Sequence, residues 1–136
     1  MSKKLQCIML IDDNPDDNFF HERAILKNDA RNTVITKESG GEALEYLKAK
    51  RDNPCAHPDL IFLDINMPGM NGWEFLEAYE KLDKEIQSRA IILMLTTSDY
   101  SADIAKSKNW DFVSEFITKP LTADMMKAIT AKYFSE

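Results

Sequence analysis

Cysteine is scarce in this chain, and its two copies stand far apart: Cys7 inside an apolar run and Cys55 in a stretch that reads as loop. Two such residues form no disulfide framework, so a reducing compartment is the simpler reading. Long hydrophobic runs are missing as well. No stretch approaches the length of a membrane span, and the N-terminal "MSKKLQC" has no signal-peptide hydrophobic region, so a soluble, cytoplasmic protein with no membrane partner is expected. Positive charge is in deficit, 17 Lys and Arg against 23 Asp and Glu, and a net charge of −6 argues against nonspecific nucleic-acid binding. Repeats, low-complexity tracts and linkers are also absent. What remains is 136 residues, 44% of them hydrophobic, enough for one domain over residues 1–136 with a core that needs no metal or disulfide staples.

Apolar runs at Leu5 to Ile11, Leu60 to Leu63 and Ile91 to Leu95, with shorter strand-like runs at Thr33 to Thr36 and Phe112 to Ile117, predict five strands. Helical spacing lies between and after them. Phe19, Phe20, Ala24 and Leu26 fit a first helix, Ala43, Leu44 and Leu47 a second, and Trp73, Phe75, Leu76 and Tyr79 a third. Ile104 and Ala105 fit a fourth, and Met125, Met126, Ile129 and Tyr133 a fifth. Ser39 with Glu42 has capping-box spacing, Asn71 with Glu74 supplies a cap and a first-turn acid, and Thr122 caps the last helix. Five alternations of strand and helix predict an α/β fold, a doubly wound parallel sheet with helices on both faces.

In such a sheet, ligands bind outside the carboxyl ends of the strands. The sequence sends polar groups to that rim. "LIDDNPDDN" places Asp12 and Asp13 there, "LIFLDINMPGMNG" places Asp64, "AIILMLTTSD" places Thr96, and "EFITKPL" places Lys119. A polar residue after a strand ordinarily just starts a solvated turn, but three converging carboxylates cannot all ionise without a counterion. A divalent cation resolves that conflict, and an oxygen-only donor set favours Mg²⁺. A cation and an ammonium flanking one carboxylate make a clamp for a phosphoryl group, with Asp64 as nucleophile.

These motifs, in this order and approximate spacing, resemble the receiver domain of two-component response regulators along nearly the whole chain. The acidic pair is in "LIDDN", the acceptor in "FLDINMPGMNG", the hydroxyl in "LMLTTS" and the Lys-Pro in "FITKPL". The resemblance implies a flavodoxin-like sheet of order 2-1-3-4-5 with five helices. It implies that Asp12 and Asp13 organise Mg²⁺ (or Mn²⁺), that Asp64 accepts phosphate while ligating the metal, and that Asn66 offers the metal its backbone carbonyl. Thr96 and Lys119 would hold phosphoryl oxygens, the Lys119–Pro120 bond would be cis, and Thr96 and Phe116 would form the switch. Phe116 stands where the family often has tyrosine, so the switch would be read by shape. The long segment "KAKRDNPCAHPD" looks like that of small stand-alone receivers associated with phytochromes and other sensor kinases.

The expected function is therefore a stand-alone receiver, not an enzyme, that takes a phosphoryl group from a sensor histidine kinase or a histidine phosphotransfer protein. It would act on a downstream protein of unknown identity and not on nucleic acid. An aspartyl-phosphate phosphatase would place a second aspartate two residues after the nucleophile, where Asn66 stands. A flavin carrier of the same sheet order would need a glycine- and hydroxyl-rich loop where "DDNPDD" stands. A docking module that merely keeps the fold would have no use for the complete motif set. Trp110 is either a satellite core residue or a partner anchor. His21 and His57 are read as surface residues away from the acidic rim, and Met125 and Met126 as core filler and surface.

Overall fold

The computed structural model describes residues 5–49, 58–65, 67–82, 90–96 and 113–134. Five strands, β1 (Cys7–Ile11), β2 (Thr33–Lys37), β3 (Leu60–Asp64), β4 (Ile91–Thr96) and β5 (Val113–Thr118), pair in parallel in the order β2-β1-β3-β4-β5. Four helices are present among the described residues: α1 (Pro15–Asn28), α2 (Gly40–Lys48), α3 (Gly72–Glu80) and α4 (Ala123–Tyr133). The helix expected around Ile104 and Ala105, together with Asn66, His57 and Trp110, lies outside the described residues.

The three central strands are almost uninterrupted apolar runs because they are covered on both faces. Alternation along each strand divides the core in two. Met9, Ile11, Ile61, Leu63, Ile92 and Met94 face α2 and α3, where Leu47, Phe75, Leu76 and Tyr79 meet them. Ile8, Leu10, Leu60, Phe62, Leu93 and Leu95 face the other way and meet Ile25, Met126 and Ile129 from α1 and α4. Met126 is fully buried and Met125 half-buried, as expected of filler and surface.

The first helix corrects the sequence reading. Phe19 and Phe20 point to solvent, 54% and 62% exposed, and Asn18, His21 and Ile25 form the buried stripe instead. The physical reason is the neighbour α1 must meet. Its first turns pass over strand ends that present backbone carbonyls, and Asn18 Nδ2 donates to Asp12 O at 3.0 Å and to Lys37 O at 3.4 Å, tying β1 to β2. The two phenylalanines shield each other edge-to-face, centroids 5.6 Å apart, with the Arg23 guanidinium 5.7 Å from the Phe19 ring centroid.

Cys7 is a second correction. It is disulfide-bonded, whereas the sequence reading has Cys7 and Cys55 forming no disulfide framework, in a reducing compartment; Cys55 lies outside the described residues. Spacing alone is blind to such bonds. The chain entering β3 runs past Cys7, with Asp59 N donating to Cys7 O at 2.8 Å and Asp59 Oδ2 accepting from Cys7 N at 3.0 Å.

The helix starts follow local chemistry. Asn71 Oδ1 accepts from Glu74 N at 2.9 Å while Glu74 Oε1 accepts from Asn71 N at 3.0 Å, a complete capping box. At α2 only half the expected box forms. Ser39 Oγ accepts from Glu42 N, but the Glu42 carboxylate reaches Glu38 N instead. Thr122 caps α4 through Met125 N. Replacing Asn71 with Ala should lower stability by about 1 kcal/mol, read as an earlier unfolding midpoint in denaturant with an unchanged slope.

Candidate functional site

The sheet order reverses between β1 and β3, and the carboxylates converge there. Asp12 follows β1 directly, its amide bonded to Lys37 O at 3.0 Å and its Oδ1 accepting from Asn14 N at 3.0 Å. Asn14 in turn caps α1, accepting from Asp16 N and Asp17 N, so the turn that aims Asp12 also starts the helix. Asp64 ends β3, opposite Leu95 in register. Behind it, α3 presses its first residue against the Asp64 backbone. A Cβ on Gly72 would lie 2.9 Å from Asp64 O and from Ile65 Cα, closer than real contacts allow. Gly69, at φ +76°, supplies the left-handed residue of the connecting loop.

The other two rim residues are joined through the main chain. Thr96, 1% exposed, ends β4, and its carbonyl accepts from Lys119 N at 2.8 Å. The Lys119–Pro120 peptide is cis.

Carboxylate oxygens of Asp12, Asp13 and Asp64 all lie within 4.8 Å of one another. Lys119 Nζ reaches into this group, 2.7 Å from Asp12 Oδ2 and 3.4 Å from Asp64 Oδ1. Its third carboxylate is one the sequence reading did not single out, Asp17 Oδ2 at 3.0 Å. Asp17 stands in the first turn of α1, where an acid ordinarily signals only a helix start. His21, one turn further, is also corrected: it is 2% exposed, not a surface residue, and lies in the field of Lys119, Asp17 and Asp12. Burial holds its pKa below the ordinary value, helped by Lys119 and opposed by the two aspartates. Its i, i+3 spacing from buried Asn18 was the available signal, hidden because both side chains are polar.

A family model for the response regulator receiver domain matches residues 8–131. This chain belongs to the response regulator receiver domain family. It is similar to protein PilH of Pseudomonas aeruginosa, 28% identical over 126 residues that cover 91% of this chain and 94% of PilH. It is 30% identical over 132 residues to the DNA-binding transcriptional regulator NtrC of Escherichia coli, covering 94% of this chain but only 24% of that protein. Among solved structures, a two-component response regulator from Cytophaga hutchinsonii superposes with a TM-score of 0.83 at 30% identity, covering 98% of this chain and 100% of its own. A receiver takes part in phosphoreceiver signalling, and receivers bind Mg²⁺ through acidic residues of the kind clustered here. Among the described residues, no helix is long and apolar enough to cross a membrane.

The donor set of this receiver suits a hard divalent cation. It offers oxygen alone, and its central carboxylate is poorly stabilised as an anion by the protein itself. Burial lifts the Asp64 pKa from 3.8 to about 6, the Asp12 charge adds to the rise, and Lys119 offsets only part of it. Lys119 shows the opposite balance. Burial disfavours its charge, yet hydrogen bonds to Asp12 and Asp17 and the nearby Asp64 charge outweigh that and hold its pKa above the ordinary lysine value.

The sign of the pH dependence follows from the rise at Asp64. In metal-free protein the folded state holds the Asp64 proton more tightly than the unfolded chain does. The resulting stabilisation is complete below about 3.8 and is lost as the pH rises through about 6. The Asp64→Asn variant should lack this loss and should be more stable than wild type at pH 7 without metal, by on the order of 1–3 kcal/mol. Unfolding midpoints across pH 4 to 7 in chelator check this. Gly72→Ala should instead cost roughly 1–3 kcal/mol, because its methyl group must displace the Asp64 backbone.

Proposed function

We propose that this receiver accepts a phosphoryl group on Asp64 in a Mg²⁺-dependent reaction and passes the signal on by changing a partner-binding face. The observation that carries this reading is the convergence of the Asp12, Asp13 and Asp64 carboxylates, within 4.8 Å of one another, with the Lys119 ammonium among them. A resting arrangement so rich in negative charge gains nothing in stability from its own composition. It makes sense as a binding site for a cation and an incoming phosphoryl group.

The donor is a phosphohistidine of a sensor histidine kinase or histidine phosphotransfer protein. An Asp64 oxygen attacks phosphorus, the phosphorus–nitrogen bond breaks, and the imidazole leaves with that electron pair and is protonated by solvent. Asp12, Asp13, Asp64 and the Asn66 carbonyl hold the metal, with Asn66 outside the described residues. Bound there, Mg²⁺ or Mn²⁺ neutralises charge on the carboxylates and the phosphoryl oxygens. Asp12 and Asp13 set the site's geometry through the turn that begins α1. Lys119 pairs with a phosphoryl oxygen, and the Thr96 hydroxyl binds another. The chain participates in its own phosphorylation and dephosphorylation and does not turn over a separate substrate, so it is a signalling domain and not an enzyme in the usual sense.

The output passes from Thr96 to Phe116, two positions that lie on adjacent strands. Phe116 is half-buried and packs against Trp73, ring centroids 6.3 Å apart. Drawing Thr96 toward the phosphoryl group opens space that Phe116 fills, and a downstream protein reads the altered face; Trp110, the candidate anchor, lies outside the described residues. Phosphate shifts the populations only by its differential interaction with the two states.

Incubation with acetyl phosphate and Mg²⁺ should add the mass of one phosphoryl group to the intact wild-type protein. The same treatment should add none without Mg²⁺ and none to Asp64→Asn; modification of Asp64→Asn to the wild-type extent would refute the reading. Because Trp73 packs against Phe116, the fluorescence of a Trp110→Phe protein, which reports Trp73 alone, should change on phosphorylation, and this change should disappear when Phe116→Ala is added.

A further inference from the structure

Lys119 has more partners than the reaction proposed above requires. Its Nζ is nearest Asp12 at 2.7 Å, next Asp17 at 3.0 Å, and farthest from the acceptor Asp64 at 3.4 Å. Two of these carboxylates are nearly buried, with 2% and 7% of their side chains exposed, whereas Asp17 is 35% exposed. Asp17 comes from α1, while Asp12 and Asp64 come from strand ends, so its hold on the ammonium is set by a different element from the one that carries the acceptor. His21, one turn along, is buried, and burial lowers its pKa. Among the described residues, the cation paired with Asp17 is Lys119, at 3.0 Å.

We infer that Asp17 is a positioning residue that holds Lys119 back from Asp64 in the resting receiver and must yield it when a phosphoryl group arrives. The inference rests on the phosphoacceptor reading of Asp64. Its chemistry is a competition for one ammonium. A phosphoryl oxygen on Asp64 draws Lys119 inward only by outbidding Asp17, so Asp17 weakens the phosphorylated state and shortens its life. The same residue also stands in the first turn of α1, where any acid favours the helix. That structural role would alter unfolding without altering what the acceptor binds.

The test uses beryllofluoride, a phosphoryl mimic, at saturating Mg²⁺ on the full chain. Asp17→Asn should bind it about 2–5-fold more tightly than wild type, the range expected for release of a partly exposed ion pair. Its acetyl-phosphate product should lose phosphate more slowly by a similar factor. Asp17→Glu, which restores the competing charge, should return both values toward wild type. If Asp17→Asn does not fold, Asp17→Ser carries the same comparison. Equal or weaker beryllofluoride binding by a folded, uncharged variant overturns the inference while leaving the acceptor reading intact. A wild-type protein that binds no beryllofluoride and takes up no phosphate overturns the acceptor reading, and this inference with it.

Discussion

The ion-pair cluster at Lys119 is the constraint from which the rest of the structure follows. One ammonium lies within 3.4 Å of three carboxylates drawn from the end of β1, the end of β3 and the first turn of α1, and Asp13 adds a fourth negative charge beside them. A single lysine cannot neutralise such a group. The protein therefore holds an electrostatic deficit in its resting state, expressed most directly in the high proton affinity of Asp64. Buried charge with incomplete pairing destabilises a fold, and a bound divalent cation would supply the positive charge that Lys119 alone does not.

Holding those charges together requires a rigid frame. The central strands supply it, being apolar along nearly their whole length and packed on both faces. Their parallel register brings Asp12 and Asp64 to one edge, and the bond from Lys119 N to Thr96 O fixes the end of β5 against the end of β4. Gly72 lets α3 rest directly on the Asp64 backbone. Asn14 and Asn18 do similar work from α1, the first turning Asp12 toward the site and the second binding the carbonyls at the ends of β1 and β2. The inward stripe of α1 is accordingly more polar than a core-facing helix requires.

That polarity also explains where the sequence was readable. Period-two and uninterrupted apolar runs located all five strands, and the residues just past them located the rim, because a buried strand leaves little ambiguity about where it ends. The paired residues Asn71 and Glu74 marked a helix start that the structure completes as a capping box. The face of α1 was not readable in the same way. Its largest apolar residues, Phe19 and Phe20, lie outside, and the inward positions are an asparagine, a histidine and one isoleucine. Hydrophobic periodicity has no means of detecting a stripe chosen for its hydrogen bonds. Asp17 escaped notice for a related reason, since an acid at a helix start already has a sufficient explanation. The bond at Cys7 escaped notice because two cysteines far apart in sequence carry no pattern that marks a pairing.

The central claim is that the negative cluster is a cation site, and direct Mg²⁺ binding tests it most closely. Calorimetric titration of Mg²⁺ into the wild-type protein should report a single site. Asp13→Asn, whose exposed side chain can change without disturbing the core, should bind at least about tenfold more weakly, because a ligand charge is lost. Wild-type protein that binds no Mg²⁺ at millimolar concentration, or a variant with undiminished affinity, would contradict the account.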